Sequence, residues 1–324
     1  GRPPAADPGT PPALTPAATV AEGFRHIIRT GIAHILANTA CVLAGSDPEG
    51  VHQIRLALRR LRSAFTVFAP AIGSPEAAEL VDGLRWLSER LAPARDRLVL
   101  AERFFRPFAA AHPGLPGLDS LAGDLAAASA AATAQAADAL RRQQFTALLL
   151  RLGAWLESGR WQHGERSGPE SAADAVPDRP LAELAGPWLE LRAARLHKAG
   201  RPLAKSAAGE RGAAGLDAAG RHRLRLRVKR LRDAAGFFRG LYPPASVRGW
   251  LDAAEPLQTA LGEINDADVA RRLVAAAARR ETHAAAAALD AWIKAAGRNR
   301  RSELPRRWRD FATMPPFWTK SCDP

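Results

Sequence analysis

Two segments of the chain carry the same array of basic residues. Residues 51–62 read VHQIRLALRRLR and residues 221–232 read RHRLRLRVKRLR, so both contain the pattern H-x-x-R-x-x-x-[RK]-x-x-R. On an α-helix, which turns about 100° per residue, the four positions of this pattern lie in one narrow sector. Arginine offers a planar fork of donors that suits phosphate, so the two stripes predict a polyanion-binding site. The stripes are His52, Arg55, Arg59 and Arg62 in the first segment and His222, Arg225, Lys229 and Arg232 in the second.

The two segments belong to a longer internal correspondence. It holds without a gap from Asp47 and Asp217 to Val99 and Val269, at a constant offset of 170 residues. Apolar matches alone would be weak evidence, because amphipathic helices converge on similar patterns, but the aligned His and Asp positions are more specific. We therefore predict an internally duplicated all-α fold: a pair of helical bundles related by a pseudo-twofold axis, with the basic helices lining a shared cavity.

The composition agrees with an anionic partner but does not identify one. Lys and Arg number 46 against 33 Asp and Glu, a formal net charge of +13, and such an excess favours anionic partners. A GC-rich genome, which favours Arg and Ala codons, would explain most of it. A single basic helix would also be best interpreted as a solvated surface. The repetition of the same stripe is what favours anion binding.

The chain is predicted to be a cytoplasmic protein without a membrane span. No segment approaches the roughly 18 uninterrupted apolar residues of a transmembrane helix. Cys41 and Cys322 are too few for a disulfide framework, which favours a reducing compartment. Residues 1–16 are rich in Pro and Ala and predict a linker. The chain begins at Gly1 rather than Met, so we expect it to be part of a longer protein.

Helix-forming residues dominate from about residue 17 onward and strand signals are weak, so every predicted element is a helix. One domain is expected at 17–324, with a first half at 17–158, a connecting loop at 159–180 and a second half at 181–324. The predicted helices are 17–44, a basic helix starting at the N-cap Asp47, 74–92, 96–108, an Ala-rich region up to 158, 181–199, a second basic helix starting at the N-cap Asp217, one from 245 and a long one from 265.

The chain resembles the CHAD family, the conserved histidine α-helical domain, over nearly all of its length after the linker. The resemblance rests on the duplicated basic pattern near the start of each half. It also rests on residues 91–96 (LAPARD) and 261–266 (LGEIND), which look like the family's L-G-x-x-[RN]-D segment. The stretch 308–318 is also typical. In the first copy Ala92 replaces the usual Gly and Pro93 follows it, so the local turn is expected to differ there.

Members of this family bind inorganic polyphosphate through the basic helices, and many follow a CYTH domain, the triphosphate tunnel fold. The resemblance implies a non-catalytic polyphosphate-binding module that would direct a protein to polyphosphate granules or assist an attached CYTH phosphatase domain. The CYTH signature of alternating Glu and Lys is absent from this sequence, so hydrolysis would belong to a preceding segment. The family often has Lys followed by Gly before the second basic helix, as in Lys198-Ala199-Gly200 with one insertion. Further candidate ligands, for which solvent exposure is an equally good interpretation, are Lys198, Arg201 and Arg29.

Three other classes of function are alternatives to polyphosphate binding. Nucleic-acid binding by the same phosphate attraction is the main alternative, but the stripes contain no aromatic residue for base stacking, so nucleic acid is expected as a non-specific competitor. Enzymatic phosphate chemistry would need a Walker A loop or carboxylates at metal-binding spacing, and neither is evident. No cofactor or metal is predicted, since no second His or Cys lies three or four residues from His52 or His222. A helical interaction domain whose charge serves solubility is the remaining alternative.

Two pairs of side chains near the stripes have roles that the sequence leaves open. Asp96 and Asp266 occupy matching positions and either orient stripe arginines or N-cap the following helix. Neighbouring arginines should lower the pKa of His52 and His222, and bound phosphate should raise it. Polyanion affinity is therefore expected to rise at lower pH.

Overall fold

The computed structural model describes residues 3–10, 12, 14–72, 74–162, 176–207 and 215–319. Within these ranges the chain is helical, and its β-structure is limited to one isolated bridge between Thr19 and Pro180. The all-α prediction is therefore confirmed. In chain order the helices are α1 Val20–Ala44, α2 Glu49–Val67, α3 Glu76–Val99, α4 Arg106–Ala111, α5 Leu118–Arg141, α6 Gln143–Ser158, α7 Leu181–Ala207, α8 Ala218–Phe237, α9 Pro244–Ala277 and α10 His283–Ala312.

The starts of the two basic helices, α2 and α8, differ slightly. Asp217 is the N-cap of α8, and its side chain accepts a hydrogen bond from the amide of Gly220 at 2.6 Å. Helix α2 begins at Glu49 with Pro48 as its N-cap, so the expected cap at Asp47 is one residue too early. The Asp47 carboxylate still accepts the Glu49 amide at 2.9 Å and thereby satisfies one of the free donors at the helix start.

The prediction of two helices at 74–92 and 96–108 was wrong. Helix α3 continues through Pro93 to Val99, passes into a π-helical turn at Leu100–Phe105 and runs on into α4. A proline inside a helix costs about 3 kcal/mol, but the apolar stripe of α3 continues past it and stays buried. The buried residues of this stripe are Leu80, Leu84, Leu87, Leu91 and Ala94.

Two boundaries of the second half also differ from the prediction. Helix α7 runs to Ala207 rather than ending near 199. Helix α9 has no break before Asn265; it ends at Ala277, and Thr282 accepts the Arg279 amide in the turn that follows. Asp96 and Asp266 consequently lie inside long helices, so their interpretation as N-caps was wrong. Most of the connection expected at 159–180 falls outside the described residues.

The apolar core is continuous across the two halves. Phe24 of α1 contacts the rings of Phe65, Phe68, Trp155 and Trp161, and the core extends from these residues into the second half. A second, smaller cluster forms where the π-helical turn and α4 meet α5, α9 and α10. Helices α2 and α8 therefore pack on one shared core through their apolar sides, and their basic stripes lie on the sides that do not contribute to this core.

Part of the segment expected to be a linker packs on the domain. Leu14 is buried in the core, and the carbonyl of Asp7 accepts a hydrogen bond from Asn38 of α1 at 2.9 Å. Helix α1 itself is the one described helix that is long and apolar enough to cross a membrane by length and composition. Its residues Phe24 and Ile28 are fully buried against the rest of the protein, as in the core helix of a globular domain.

Replacing Gly200 by Ala is expected to destabilise the protein. Gly200 is buried in α7, and an added methyl group would overlap the indole of Trp308, which is buried in α10. Overpacking of this kind costs about 1–3 kcal/mol, which exceeds the gain of up to about 1 kcal/mol from a helical Gly→Ala change. Denaturant unfolding measures the change in the free energy of unfolding.

Gly123→Ala is the matched control, because Gly123 lies inside α5 and an added methyl group there meets no atom within 4 Å. This variant is expected to be as stable as the original chain or slightly more stable. Equal stability of the two variants would show that the Trp308 indole can move to make room for the added methyl group without a loss of stability, contrary to the packing described.

Candidate functional site

The two basic helices meet through residues that occupy equivalent positions in the two segments. Ser63 of α2 donates a hydrogen bond to Asp233 Oδ2 of α8 at 2.8 Å, and the rings of Phe68 and Phe238 lie 5.9 Å apart. Both pairs join residues that are 170 positions apart. Such contacts are expected where two repeats face each other across a local twofold axis, although the duplication itself stays a prediction from the sequence.

Asp233 of α8 binds a residue of the first stripe, Arg59 of α2. Its side chain is 6% exposed, and its Oδ1 lies 3.1 Å from Nη2 of Arg59 while Oδ2 accepts the Ser63 hydroxyl. A buried carboxylate is tolerated when its charge is paired and its oxygens are hydrogen-bonded. Asp233 therefore orients the Arg59 guanidinium at the helix crossing.

Four stripe cations share one electrostatic environment. Burial is the largest cause of the lowered pKa of Arg55 and of Arg225, and Arg225 also disfavours the charge on Arg55. The pKa of Lys229 falls to about 7, first because of burial and then because of Arg225 and Arg59. The structure thus brings together residues from both predicted stripes, partly removed from water.

Carboxylates on α3 and α9 offset part of this positive charge. Burial raises the pKa of Asp96, and the nearby charge of Asp266 raises it further, while Arg55 and Arg225 oppose the shift. Asp266 in turn favours the charged form of Arg225. Of the two roles that the sequence left open, these couplings support the one in which Asp96 and Asp266 act on stripe arginines.

Several donors of the stripes lack an acceptor. The buried Nε atoms of Arg59 and Arg225 have no hydrogen-bond partner among the described residues. Within the same residues, Lys229 has no carboxylate within ion-pair distance, 4.0 Å. Arg55 donates one hydrogen bond, to the carbonyl of Ser88 at 2.9 Å. Because buried donors without acceptors are unfavourable, the site is suited to an acceptor-rich ligand such as phosphate.

The two stripe histidines have different environments. His52 has a side chain that is 39% exposed and lies 3.9 Å from Glu49, which also contacts Arg95 at 3.7 Å. The pKa of His52 is lowered, as expected, with burial the largest cause and Arg95 the next. His222, near the start of α8, is exposed.

The last residues of the two stripes, Arg62 and Arg232, are also partly buried. Burial is the first cause of the lowered pKa of Arg62 and of Arg232, and Arg232 lies 3.9 Å from Glu255. These two residues extend each stripe beyond the shared centre.

The three candidates outside the stripes are not joined to them by a described contact. Arg29 forms a two-pronged ion pair with Glu157 of α6, at 2.9 and 2.6 Å, on the exposed surface. Lys198 and Arg201 are exposed on α7. No hydrogen bond or ion pair in the described part of the chain links these three residues to a stripe, so their role as ligands stays a prediction.

A cavity of about 950 Å³ lies away from the stripes, between the end of α3 with its π-helical turn, α5 and the end of α9. No stripe residue lines it, and most of its walls are Leu and Ala side chains. It is therefore not the shared cavity expected from the sequence. The described residues also contain no group of three or more His, Cys, Asp or Glu side chains that could hold a metal ion.

The arrangement matches a known family. The family model for the CHAD domain matches residues 26–275. The chain belongs to the CHAD domain family. A crystal structure of the CHAD domain from the plant Ricinus communis is similar to it at a TM-score of 0.74 and 31% identity, covering 95% of this chain and 96% of that one. PptA from Streptomyces chartreusis is similar at a TM-score of 0.60 and 19% identity, covering 94% and 100%, which supports the fold alone.

The curated relatives of this CHAD domain are longer proteins. Uncharacterized proteins from two Mycobacterium tuberculosis strains, H37Rv and CDC 1551, are each 29% identical to it over 227 residues. The match covers 69% of this chain but 39% of each relative. The activity and partners of a whole protein of that kind are therefore a separate question from those of the CHAD domain.

Sequence reasoning missed Asp233, which proves to be central to the site of this CHAD domain. A signal was present: Asp233 aligns with Ser63, so both repeats have a small polar residue at one place on an otherwise apolar helix face. Arg95 was also missed as a neighbour of His52, because its segment was interpreted as a turn rather than as part of α3.

Replacing Asp233 by Ala is expected to lower the free energy of unfolding by about 1–3 kcal/mol, because Arg59 and Ser63 each lose their buried partner. Thermal or denaturant unfolding measures this loss. Asp252→Ala is the control, since Asp252 is exposed on α9 and should change stability by less than about 0.5 kcal/mol. If both variants were equally stable, the Asp233 network would contribute nothing to the fold.

Proposed function

We propose that this CHAD domain is a non-catalytic module that binds inorganic polyphosphate between its two basic helices. The observation that carries the proposal is the gathering of half-buried Arg55, Arg59, Arg225 and Lys229 at the helix crossing, where the Nε atoms of Arg59 and Arg225 have no hydrogen-bond partner among the described residues. Cations in this condition are stabilised by a ligand that brings both negative charge and oxygen acceptors.

The spacing of the cations favours a linear polyanion. Successive stripe positions are three or four residues apart, which on an α-helix corresponds to roughly 5 Å along the axis. Each stripe therefore presents a row of charges that a chain of repeating phosphates would contact at several points, while a single small anion would contact one or two.

The aromatic residues favour polyphosphate over single-stranded nucleic acid. Base stacking needs exposed rings beside the basic groove. In this structure most indole rings are buried in the core, and the basic stripes have none. The buried tryptophans are Trp155, Trp161, Trp188, Trp250, Trp308 and Trp318.

The proposal also covers the protein in which the module occurs and the place in the cell where it acts. The longer curated relatives are compatible with a CHAD domain that occurs in one chain with other segments. We propose that the module recruits polyphosphate in the cytoplasm, at polyphosphate granules or for an attached CYTH phosphatase domain.

Titration calorimetry of the chain with long-chain polyphosphate, repeated with RNA of equal charge at physiological ionic strength, tests the proposal. We expect tight binding of polyphosphate that RNA does not match, and an affinity that falls steeply with salt because docking releases counterions. Replacing Arg55, Arg59, Arg225 and Lys229 by Ala should lower the affinity by at least about 100-fold, since each charge-assisted contact is worth more than 1 kcal/mol.

The matched control removes the same number of Arg and Lys residues from the exposed surface elsewhere. The control replaces Arg248, Arg280, Lys294 and Arg298 by Ala, all of which are exposed. It should lose little affinity beyond the effect of net charge. If both variants bound equally well, or if RNA matched polyphosphate, the module would be a general basic surface and the proposal would fail.

Polyphosphate binding is expected to weaken as pH rises above 7. Lys229 has a pKa of about 7 in the empty protein, and bound phosphate should raise that pKa. A group whose pKa is higher in the complex than in the unbound protein strengthens binding. Its contribution to the binding free energy is complete below the pKa of the unbound protein and is lost as pH rises through the pKa of the complex. The affinity should fall by about three- to tenfold between pH 7 and pH 9.

His52 extends this dependence to lower pH, because its pKa in the empty protein lies below the ordinary value and bound phosphate should raise it. Calorimetry at pH 7.5 in buffers with different ionisation enthalpies should show proton uptake on binding. Lys229→Arg keeps the charge and should remove most of the loss above pH 7. An unchanged pH profile in this variant would show that another group titrates.

A further inference from the structure

The cavity of about 950 Å³ beside the π-helical turn has the size and the walls of a small-molecule binding site. Binding pockets measure about 300–1,000 Å³ and combine apolar walls with a few polar groups. The walls here are mostly aliphatic, with Leu98, Leu125 and Leu273 on three different helices and Phe105 as an aromatic member. A π-helical turn is a rare element that recurs at functional sites. The cavity is therefore suited to a ligand with an aliphatic body.

Three of the four charged side chains on the cavity walls are already paired. Nη2 of Arg279 lies 3.0 Å from Oδ1 of Asp124, and Glu102 accepts a hydrogen bond from Arg106 at 2.6 Å. The fourth, Arg97, is half-buried and donates one long hydrogen bond, 3.4 Å, to a carbonyl one turn earlier in α3. No carboxylate in the described part of the chain lies within 4.0 Å of it. The cavity therefore presents one positive charge without a partner.

This charge lies toward one end of an elongated cavity. A smaller neighbouring cavity groups residues 89–93 of α3 with residues 135–142 of α5, whereas the large one groups residues 97–105 with residues 122–133. Helix α5 therefore runs antiparallel to this part of the chain, and Arg97 faces the later part of the α5 wall. The wall from residue 122 to residue 133 is roughly 16 Å long. The cavity thus combines a long apolar surface with a cation near one end.

We propose that this cavity binds a fatty acid, with the hydrocarbon chain along the apolar walls and the carboxylate at Arg97. An extended chain of about twelve carbons matches the roughly 16 Å of wall along α5. The carboxylate brings the one negative charge that the cavity lacks and accepts hydrogen bonds from a guanidinium in the geometry that suits both groups. The hydroxyls of Ser129 and Thr133 belong to the same part of the α5 wall and supply further polar contacts there.

The carboxylates on the walls favour a ligand with a single negative charge over a polyanion. Glu102 and Asp124 line the same cavity as Arg97, so a ligand with several negative charges would be repelled by both. This site therefore differs in its chemistry from the stripes, and it shares no residue with them. The inference consequently does not depend on the proposed function.

Titration calorimetry of the full chain with dodecanoate, below the concentration at which micelles form, tests the proposal. We expect one dodecanoate per chain. The affinity should rise by about fourfold for each methylene added between octanoate and dodecanoate, because each methylene removes further apolar surface from water. Saturating polyphosphate should leave this binding in place, since no stripe residue lines the cavity. Absence of dodecanoate binding, or its displacement by polyphosphate, would overturn the proposal.

Arg97→Gln tests the position of the carboxylate. It should weaken dodecanoate binding by at least about fivefold, because a charge-assisted contact is lost, and should leave the binding of the uncharged analogue 1-dodecanol nearly unchanged. The matched control is Arg90→Gln, since Arg90 is exposed on the same helix and lies outside this cavity. An equal loss in both variants, or an equal loss for both ligands, would show that Arg97 does not bind the carboxylate.

Ala128→Phe tests the position of the hydrocarbon chain. Ala128 is half-buried on α5 and lines the cavity, so a phenyl group there would occupy part of the space and should lower the dodecanoate affinity by at least about tenfold. Ala127→Phe is the control, because Ala127 is exposed on the same helix and does not line the cavity. Thermal unfolding checks that both variants fold.

Equal dodecanoate affinities in the two alanine variants would place the ligand elsewhere and overturn the proposal. Light scattering of the original chain and of Ala128→Phe distinguishes the other occupant of an apolar cavity. A dimer of the original chain that Ala128→Phe dissociates would identify a second copy of the chain as that occupant and would reject the fatty acid. Polyphosphate binding is measured separately, so either result leaves the proposed function standing.

Discussion

The gathering of like charges where α2 crosses α8 is the constraint that shapes the rest of this CHAD domain. Two unit charges 4 Å apart repel by about 4 kcal/mol at an effective dielectric constant near 20, and here Arg55, Arg59, Arg225 and Lys229 act on one another. Such an array persists when other parts of the fold hold its helices in place and supply some opposite charge. Both contributions are visible in the structure.

The first contribution comes from the apolar sides of the two basic helices. Phe65 and Phe68, at the end of α2, pack against Phe24 of α1, and Phe68 also contacts Trp188 of α7 and Phe238 at the end of α8. Burial of large aromatic side chains contributes several kcal/mol each to stability. The core can therefore hold α2 and α8 together against the repulsion between their polar sides.

The second contribution comes from carboxylates placed beside the array on other helices. Asp96 of α3 and Asp266 of α9 reach the array because both helices continue through positions where a break was predicted, at Pro93 and before Asn265. Asp233 adds a carboxylate at the crossing itself. These carboxylates offset the positive charge of the array in part.

Much of this arrangement could be predicted from the sequence, and the failures have physical causes. The duplicated stripe and the helical class follow from local periodicity, which reports directly on which side of a helix each residue lies. The helix breaks near 92 and 265 were wrong because local Pro and Asp signals were weighed without the tertiary burial that outweighs them, as at Leu91 and Ala94. Asp233 was missed because its partners, Arg59 and Ser63, lie on another helix.

The two stripes differ in one residue pair that matters for the chemistry of the array. Arg59 has Asp233 as its partner across the crossing, whereas Lys229, at the matching position of the second stripe, has no carboxylate within 4.0 Å in the described part of the chain. One half therefore combines a permanent cation with a carboxylate, and the other has a titratable amine without one. Because a guanidinium stays charged, whereas an amine with a pKa of about 7 loses its charge as pH rises, Arg59 supplies a constant charge and Lys229 one that depends on pH. A polyanion that spans both halves would contact a constant charge at one end of the crossing and a variable one at the other.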